Sequence, residues 1–194
     1  MATVALFHSV LGVRPGITQA ADMLCSHGHD VRVIDQYDGK TFDDYDPAMA
    51  YMEEVGTKAM LAQSLELTAD LPEGFVTMGF SQGGAMAGYV AFKRPGVRGI
   101  VLLAAALDPA WFDMPWPQGV PAQVHNTVDD PFREQEAIDA SVVAGKAAGA
   151  TIEVFDYPGK GHLFADASKT DEYQPAEAEL MWSRVLDFLK RVGR

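Results

Sequence analysis

Ser81 stands at the centre of Gly79-Phe80-Ser81-Gln82-Gly83-Gly84, between the apolar run Phe75-Val76-Thr77-Met78 and a helix-like stretch from Ala85 to Ala91. A serine between glycines, after a strand and before a helix, has the G-x-S-x-G spacing of a nucleophile held on a sharp turn. Such a turn crowds the neighbouring backbone, and Gly79, Gly83 and Gly84 leave room for it. The helix that follows directs its free N–H groups back toward the serine, where they can stabilise a developing negative charge. The expected chemistry is nucleophilic attack on a carbonyl.

A serine hydroxyl is a weak nucleophile near neutral pH and needs a base within hydrogen-bond reach, oriented by a third group. His162 lies in the glycine-rich loop Tyr157-Pro158-Gly159-Lys160-Gly161-His162, where flexible backbone lets an imidazole reach over the sheet. Asp129 and Asp130 follow another predicted strand. Either can orient the histidine; Asp130 is favoured because Pro131 sets a turn that presents it, while Asp129 is free to face solvent. The chain order Ser, Asp, His is that of the α/β-hydrolases. An oxyanion hole takes one N–H from Gln82, directly after the nucleophile, and a second from the loop after the first strand.

The remaining histidines divide between pocket and scaffold. His8, at the end of the first strand, either lines the pocket or is a hydrogen-bonded structural residue. His125 reads as buried and satisfied, and His27 and His29, flanking Gly28, as solvated. No His or carboxylate pair has metal-site spacing, and no phosphate-cradling glycine loop is present, so neither a metal nor a cofactor is expected.

These residues need elements to position them. Val4–Phe7, Val31–Asp35, Phe75–Met78, Gly99–Ala105, Ala122–Asn126 and Thr151–Phe155 read as short apolar strands. Helices are predicted from Pro15 to Ser26, from Pro47 as one long segment through Leu65, after the serine to Lys93, from Glu134 to Ala148 and from Ala176 to Val192. The methionines at helical spacing in the long segment read as core filler. Strands alternating with helices, each strand nearly all apolar, imply a mostly parallel sheet with helices on both faces. On such sheets ligands bind beyond the carboxyl ends of the strands. That rule selects the loops at 8–12, 36–42, 107–116, 127–132 and 158–164 together with Ser81. Tyr37, Trp111, Phe112 and Trp116 in these loops join His8 as candidate pocket residues, with Trp111, Phe112 and Trp116 equally able to pack beneath their loop.

The 194 residues suit a single domain, 1–194, with an ordinary apolar fraction of 48%. A net charge of -12 argues against a nucleic-acid partner and against anionic membranes. The lone cysteine, Cys25, rules out an internal disulfide and is expected as a buried thiol. The apolar N-terminal stretch is too short for a leader or a membrane span, so a cytoplasmic location is expected.

The elbow at 79–84, Asp130-Pro131-Phe132 and Gly161-His162-Leu163-Phe164-Ala165 together resemble the dienelactone hydrolase family, and Leu6–Gly12 and Asp35–Phe42 are similar too. The resemblance spans essentially the whole chain. It implies the α/β-hydrolase fold without a large cap domain, a triad of Ser81, Asp130 and His162, and Val10 and Gln82 as oxyanion donors. Two departures are visible. The family's dienelactone enzymes carry cysteine where this chain has Ser81, with a glutamate where it has Ser9. They also hold an anionic substrate with an arginine a few residues beyond the histidine, where this chain has Asp166. The expected activity is therefore hydrolysis of carboxylic esters or lactones, with thioesters open to the same acyl-enzyme chemistry, rather than of an anionic dienelactone. Acyl transfer on the same triad, or a non-catalytic binding domain retaining the fold, are the alternatives.

Overall fold

A computed structural model describes residues 1–193. Six strands form one parallel sheet: β1 (Thr3–Phe7), β2 (Asp30–Ile34), β3 (Val76–Phe80), β4 (Gly99–Leu103), β5 (Ala122–Thr127) and β6 (Ile152–Tyr157), in the order β2-β1-β3-β4-β5-β6. The sequence order reverses direction between β1 and β3, where an open α/β sheet leaves a crevice at its carboxyl edge. The strands are apolar on both sides because both sides are covered. Val4, Leu6, Val76 and Met78 pack toward α1 (Pro15–Ser26) and α6 (Pro175–Val192). Ala5, Phe7, Ile100 and Leu102 alternate to the opposite face, against α3 (Thr57–Leu67), α4 (Gln82–Lys93) and α5 (Gln135–Ala147). Each large side chain so buried contributes about 1.5–3 kcal/mol. No described helix is long and apolar enough to cross a membrane.

Several element ends differ from expectation by one or two residues, as at β3 and β6, and two differences have a clear backbone cause. The single long helix from Pro47 is two helices, α2 (Tyr45–Val55) and α3, broken at Gly56. Gly56 has φ 82°, a left-handed conformation in which a helix cannot continue, and it turns the chain onto a new axis. The β4 strand ends at Leu103 because Ala104 turns to φ 50° while its N–H still donates to the His125 carbonyl at 2.8 Å. Two burial expectations are also corrected. Cys25 lies on the solvent-facing side of α1 and is exposed. His29 is buried, its Nδ1 accepting from the Ala2 N–H at 3.3 Å, because the start of β1 runs beside it.

His125, inside β5, is the buried and satisfied residue expected. Its Nδ1 accepts from the Tyr157 hydroxyl at 2.8 Å, and its Nε2 donates to Gln123 Oε1 at 3.1 Å. Burial pushes its pKa down from 6.5 to about 3. As pH falls through 6.5 the unfolded chain takes up a proton that the native chain refuses, so this contribution to stability is whole above 6.5 and declines toward pH 3. His125→Gln, which keeps a donor and an acceptor without titrating, is expected to lose less stability than the native protein between pH 7 and pH 4. The difference is up to about 3 kcal/mol, at roughly 1.4 kcal/mol per pH unit. Urea midpoints at the two pH values measure it, and parallel losses in both proteins would exclude His125 as the source.

Candidate active site

Ser81 occupies the turn between β3 and α4, at the reversal point of the sheet. Its backbone has φ 52° and ψ -122°, a conformation that non-glycine residues avoid and that lifts the side chain above the strand ends. The turn is held by Ser81 N–H donating to the Leu103 carbonyl at 2.8 Å and by Gly84 N–H donating to the Ser81 carbonyl at 2.7 Å. A Cβ on Gly79 would collide with the Gly83 carbonyl, and one on Gly83 with the carbonyl of His8. These glycines are therefore needed for close approach of the turn to its own strand and to β1.

Asp130 and His162 reach Ser81 from the loops after β5 and β6. His162 Nε2 lies 2.7 Å from Ser81 Oγ, and His162 Nδ1 lies 2.7 Å from Asp130 Oδ2. The second oxygen of Asp130 accepts the Phe132 N–H at 2.8 Å, so one carboxylate shapes its own turn and orients the histidine. Asp129 is exposed, which separates the two aspartates left open by the sequence. The His162 loop does not swing freely as its glycines suggested. Gln174 Oε1 accepts from Gly161 N–H at 3.1 Å while its Nε2 donates to the Pro158 carbonyl at 2.7 Å, and Glu172 accepts the Leu163 N–H at 2.6 Å. Glu172 also receives the Tyr45 hydroxyl at 2.9 Å, tying this loop to α2. Burial and the Glu172 charge raise the Tyr45 phenol far above its ordinary range, so it remains a neutral donor.

A cavity of about 450 Å³ opens over Ser81, lined by Val10, Gln82 and His162 beside it. Among the described residues, the Val10 and Gln82 N–H groups make no hydrogen bond with the protein. The walls are mainly apolar: Met49 and Met52 from α2, Ala85, Ala106, Trp111 and Phe132. Of the expected pocket residues only Trp111, 46% exposed, lines this cavity. Tyr37 is corrected to buried scaffold and His8 takes the structural of its two expected roles, their rings in contact at 4.7 Å behind the loop that carries Val10. Phe112 and Trp116 pack on Phe92 of α4 at 6.0 and 5.5 Å, and the Trp116 indole donates to the Val120 carbonyl, so their rings fasten the 107–120 segment down.

Charge around the cavity also differs from expectation. Asp166 is turned away, buried beside Gly16 and accepting from the Ser168 N–H and hydroxyl at 2.8 and 2.6 Å. It does not face a substrate. Arg133 and Glu134, which the sequence reading missed, do line the cavity. The Arg133 guanidinium is engaged by Asp156 at 2.8 Å, by Gln135 at 2.8 and 2.9 Å and by the Thr127 carbonyl at 3.3 Å. Among the described residues, no group of three His, Cys, Asp or Glu side chains is arranged to hold a metal ion.

A parallel sheet with a strained serine at its reversal point, an acid after β5 and a histidine after β6, defines a hydrolase of the α/β-hydrolase fold. The chain belongs to the dienelactone hydrolase family, whose model matches residues 1–193. It is similar in structure to a dienelactone hydrolase-like promiscuous phosphotriesterase from metagenomic libraries, with a TM-score of 0.81 and 18% identity over 99% of this chain and 87% of that one. A thermophilic esterase of the Planctomycetes species Thermogutta terrifontis gives 0.72 and 14%, over 99% and 82%. A dienelactone hydrolase from Anabaena variabilis gives 0.69 and 15%, over 98% and 86%. No curated protein matches the sequence.

Proposed function

We propose that the protein hydrolyses uncharged carboxylic esters or lactones through an acyl-enzyme on Ser81. The carrying observation is the unbroken pair of 2.7 Å contacts from Ser81 Oγ through His162 to Asp130. A carboxylate only accepts, so the imidazole proton sits on Nδ1 toward Asp130, and Nε2 is left to accept from the serine hydroxyl. As Ser81 Oγ bonds to the carbonyl carbon, its proton passes to His162 Nε2 and the carbonyl oxygen becomes an oxyanion held by the Gln82 and Val10 N–H groups. Expulsion of the alkoxide takes that proton back out as the alcohol. Water, deprotonated by the same nitrogen, then releases the acid and frees Ser81.

The preference for neutral substrates rests on the apolar walls and on Arg133, each of whose three guanidinium nitrogens already donates to a protein acceptor and whose charge is paired with Asp156. Glu134 at the same cavity adds repulsion for a carboxylate. A panel of 4-nitrophenyl esters of matched length, with and without a terminal carboxylate, tests this. The neutral member is expected to have at least about tenfold higher kcat/KM, corresponding to about 1.4 kcal/mol in the transition state. A preference for the anionic member would overturn the substrate assignment. Failure of the folded native protein to react with a fluorophosphonate would overturn the serine mechanism itself.

A further inference from the structure

His8 is wholly buried, yet both ring nitrogens are committed to backbone in a way that fixes their roles. Nδ1 lies 2.6 Å from the Ser9 carbonyl, which can only accept, and Nε2 lies 3.1 Å from the Gln36 N–H, which can only donate. His8 is therefore the neutral tautomer with its proton on Nδ1, and burial, which lowers its pKa, keeps it so. The Ser9 carbonyl accepts a second bond, from Gly12 N–H at 3.1 Å, while Leu11 N–H is taken by Ser9 Oγ at 3.2 Å. Of the three amides after Ser9, only that of Val10 is left without a protein partner among the described residues.

The Ser9–Val10 peptide is a planar trans unit, so its carbonyl and its N–H point in opposite directions. The carbonyl is held by two donors, one of them the ring of His8, which is wholly buried and does not line the cavity, whereas Val10 does line it; an N–H opposed to that carbonyl is thereby left for the cavity side. We infer that His8 is a positioning residue that locks the Ser9–Val10 peptide in the orientation that makes Val10 N–H an oxyanion donor before substrate arrives. The Gln36 bond holds the imidazole from behind, and the contact of Gly83 with the His8 carbonyl keeps this loop in register with the Ser81 turn. Without the clamp the peptide plane can rotate, and a carbonyl facing the site would repel the oxyanion.

The inference rests on the proposed serine mechanism, so its test is made on esters whose turnover requires Ser81. An asparagine amide can take the place of Nδ1, whereas a glutamine amide falls nearer Nε2. His8→Gln is expected to lower kcat about 10²-fold, the loss for one oxyanion donor, with KM within about threefold. Affinity for an alkyl boronic acid should fall in parallel, and His8→Asn should stay within about fivefold of native. Equal losses in both variants, a loss confined to KM, or unchanged kcat in His8→Gln would each overturn the inference while leaving Ser81 in place. The native protein decides the case even if His8→Gln does not fold. In 15N NMR its His8 should show the Nδ1–H tautomer, and phosphonylation of Ser81 should move the Val10 and Gln82 amide protons downfield. A Val10 amide unmoved by the adduct would overturn it.

Discussion

Ser81→Ala is expected to lower kcat for an activated neutral ester by about 10⁵–10⁶-fold, leaving the fold intact. The size follows from what remains. Nucleophile and base act as a unit, so removing one forfeits the covalent route, and only the oxyanion donors and the cavity still favour direct attack by water. The variant is a clean test because alanine keeps the Cβ and inherits the same φ of 52°, adding no new backbone strain. What is lost is one half-buried contact, Ser81 Oγ to His162 Nε2, worth about 0.5–1.5 kcal/mol. Thermal unfolding should shift by only a few degrees. Mass spectrometry of native protein quenched during turnover should find the acyl group on the peptide carrying Ser81. Turnover of the variant within about tenfold of native, or acylation at another residue, would refute the assignment.

Much of this site can be read in the order of residues because it depends on local rules. A serine among glycines after an apolar strand, and a His and an Asp just past later strands, are signals of turn chemistry and strand order, and parallel topology then brings the strand ends together. The walls of the cavity obey no such rule. Met49 and Met52 recur at helical spacing whether they face a core or a cavity, and only the break at Gly56 determines that α2 leans over Ser81. A helical pattern tolerates one glycine, so the break was invisible before its φ was known. The aromatic residues fail for the opposite reason. Trp111, Phe112 and Trp116 share one proline-rich loop, and a short 3-10 turn at Pro109–Phe112 sends the first to the cavity and the others to α4.

His8 and Asp166 illustrate the same limit for polar residues. Both sit in loops at the right edge of the sheet, and both are taken up by backbone partners a few residues away. Proximity to a strand end selects candidates; which hydrogen-bonding groups remain unpaired decides among them. The sequence distinguishes the aspartates only weakly, since both follow the same strand. The structure separates them by burial and by the Phe132 N–H.

Asp130→Asn is accordingly expected to reduce kcat by about 10⁴-fold with little change in KM, while Asp129→Asn remains within about twofold of native. The asparagine is nearly isosteric, and its orientation is dictated by the Phe132 N–H, which needs an oxygen at 2.8 Å. With Oδ1 committed there, the amide NH₂ faces His162 Nδ1, where the native carboxylate oxygen sits at 2.7 Å. Two donors cannot meet, so His162 must present a lone pair on Nδ1 and carry its proton on Nε2, the nitrogen that has to accept from Ser81. The histidine stays in position and becomes unable to act as a base. The opposite amide flip would restore the tautomer only by setting NH₂ against the Phe132 N–H in a side chain that is 1% exposed, where an unsatisfied donor costs about 1–3 kcal/mol. 15N NMR should therefore find His162 with its proton on Nδ1 in the native protein and on Nε2 in Asp130→Asn. Asp129 is exposed, and the bond it contributes, N–H to the Gly159 carbonyl at 3.0 Å, comes from the backbone and survives the change. A large loss in Asp129→Asn, or more than about a tenth of native kcat in Asp130→Asn, would transfer the orienting role away from Asp130.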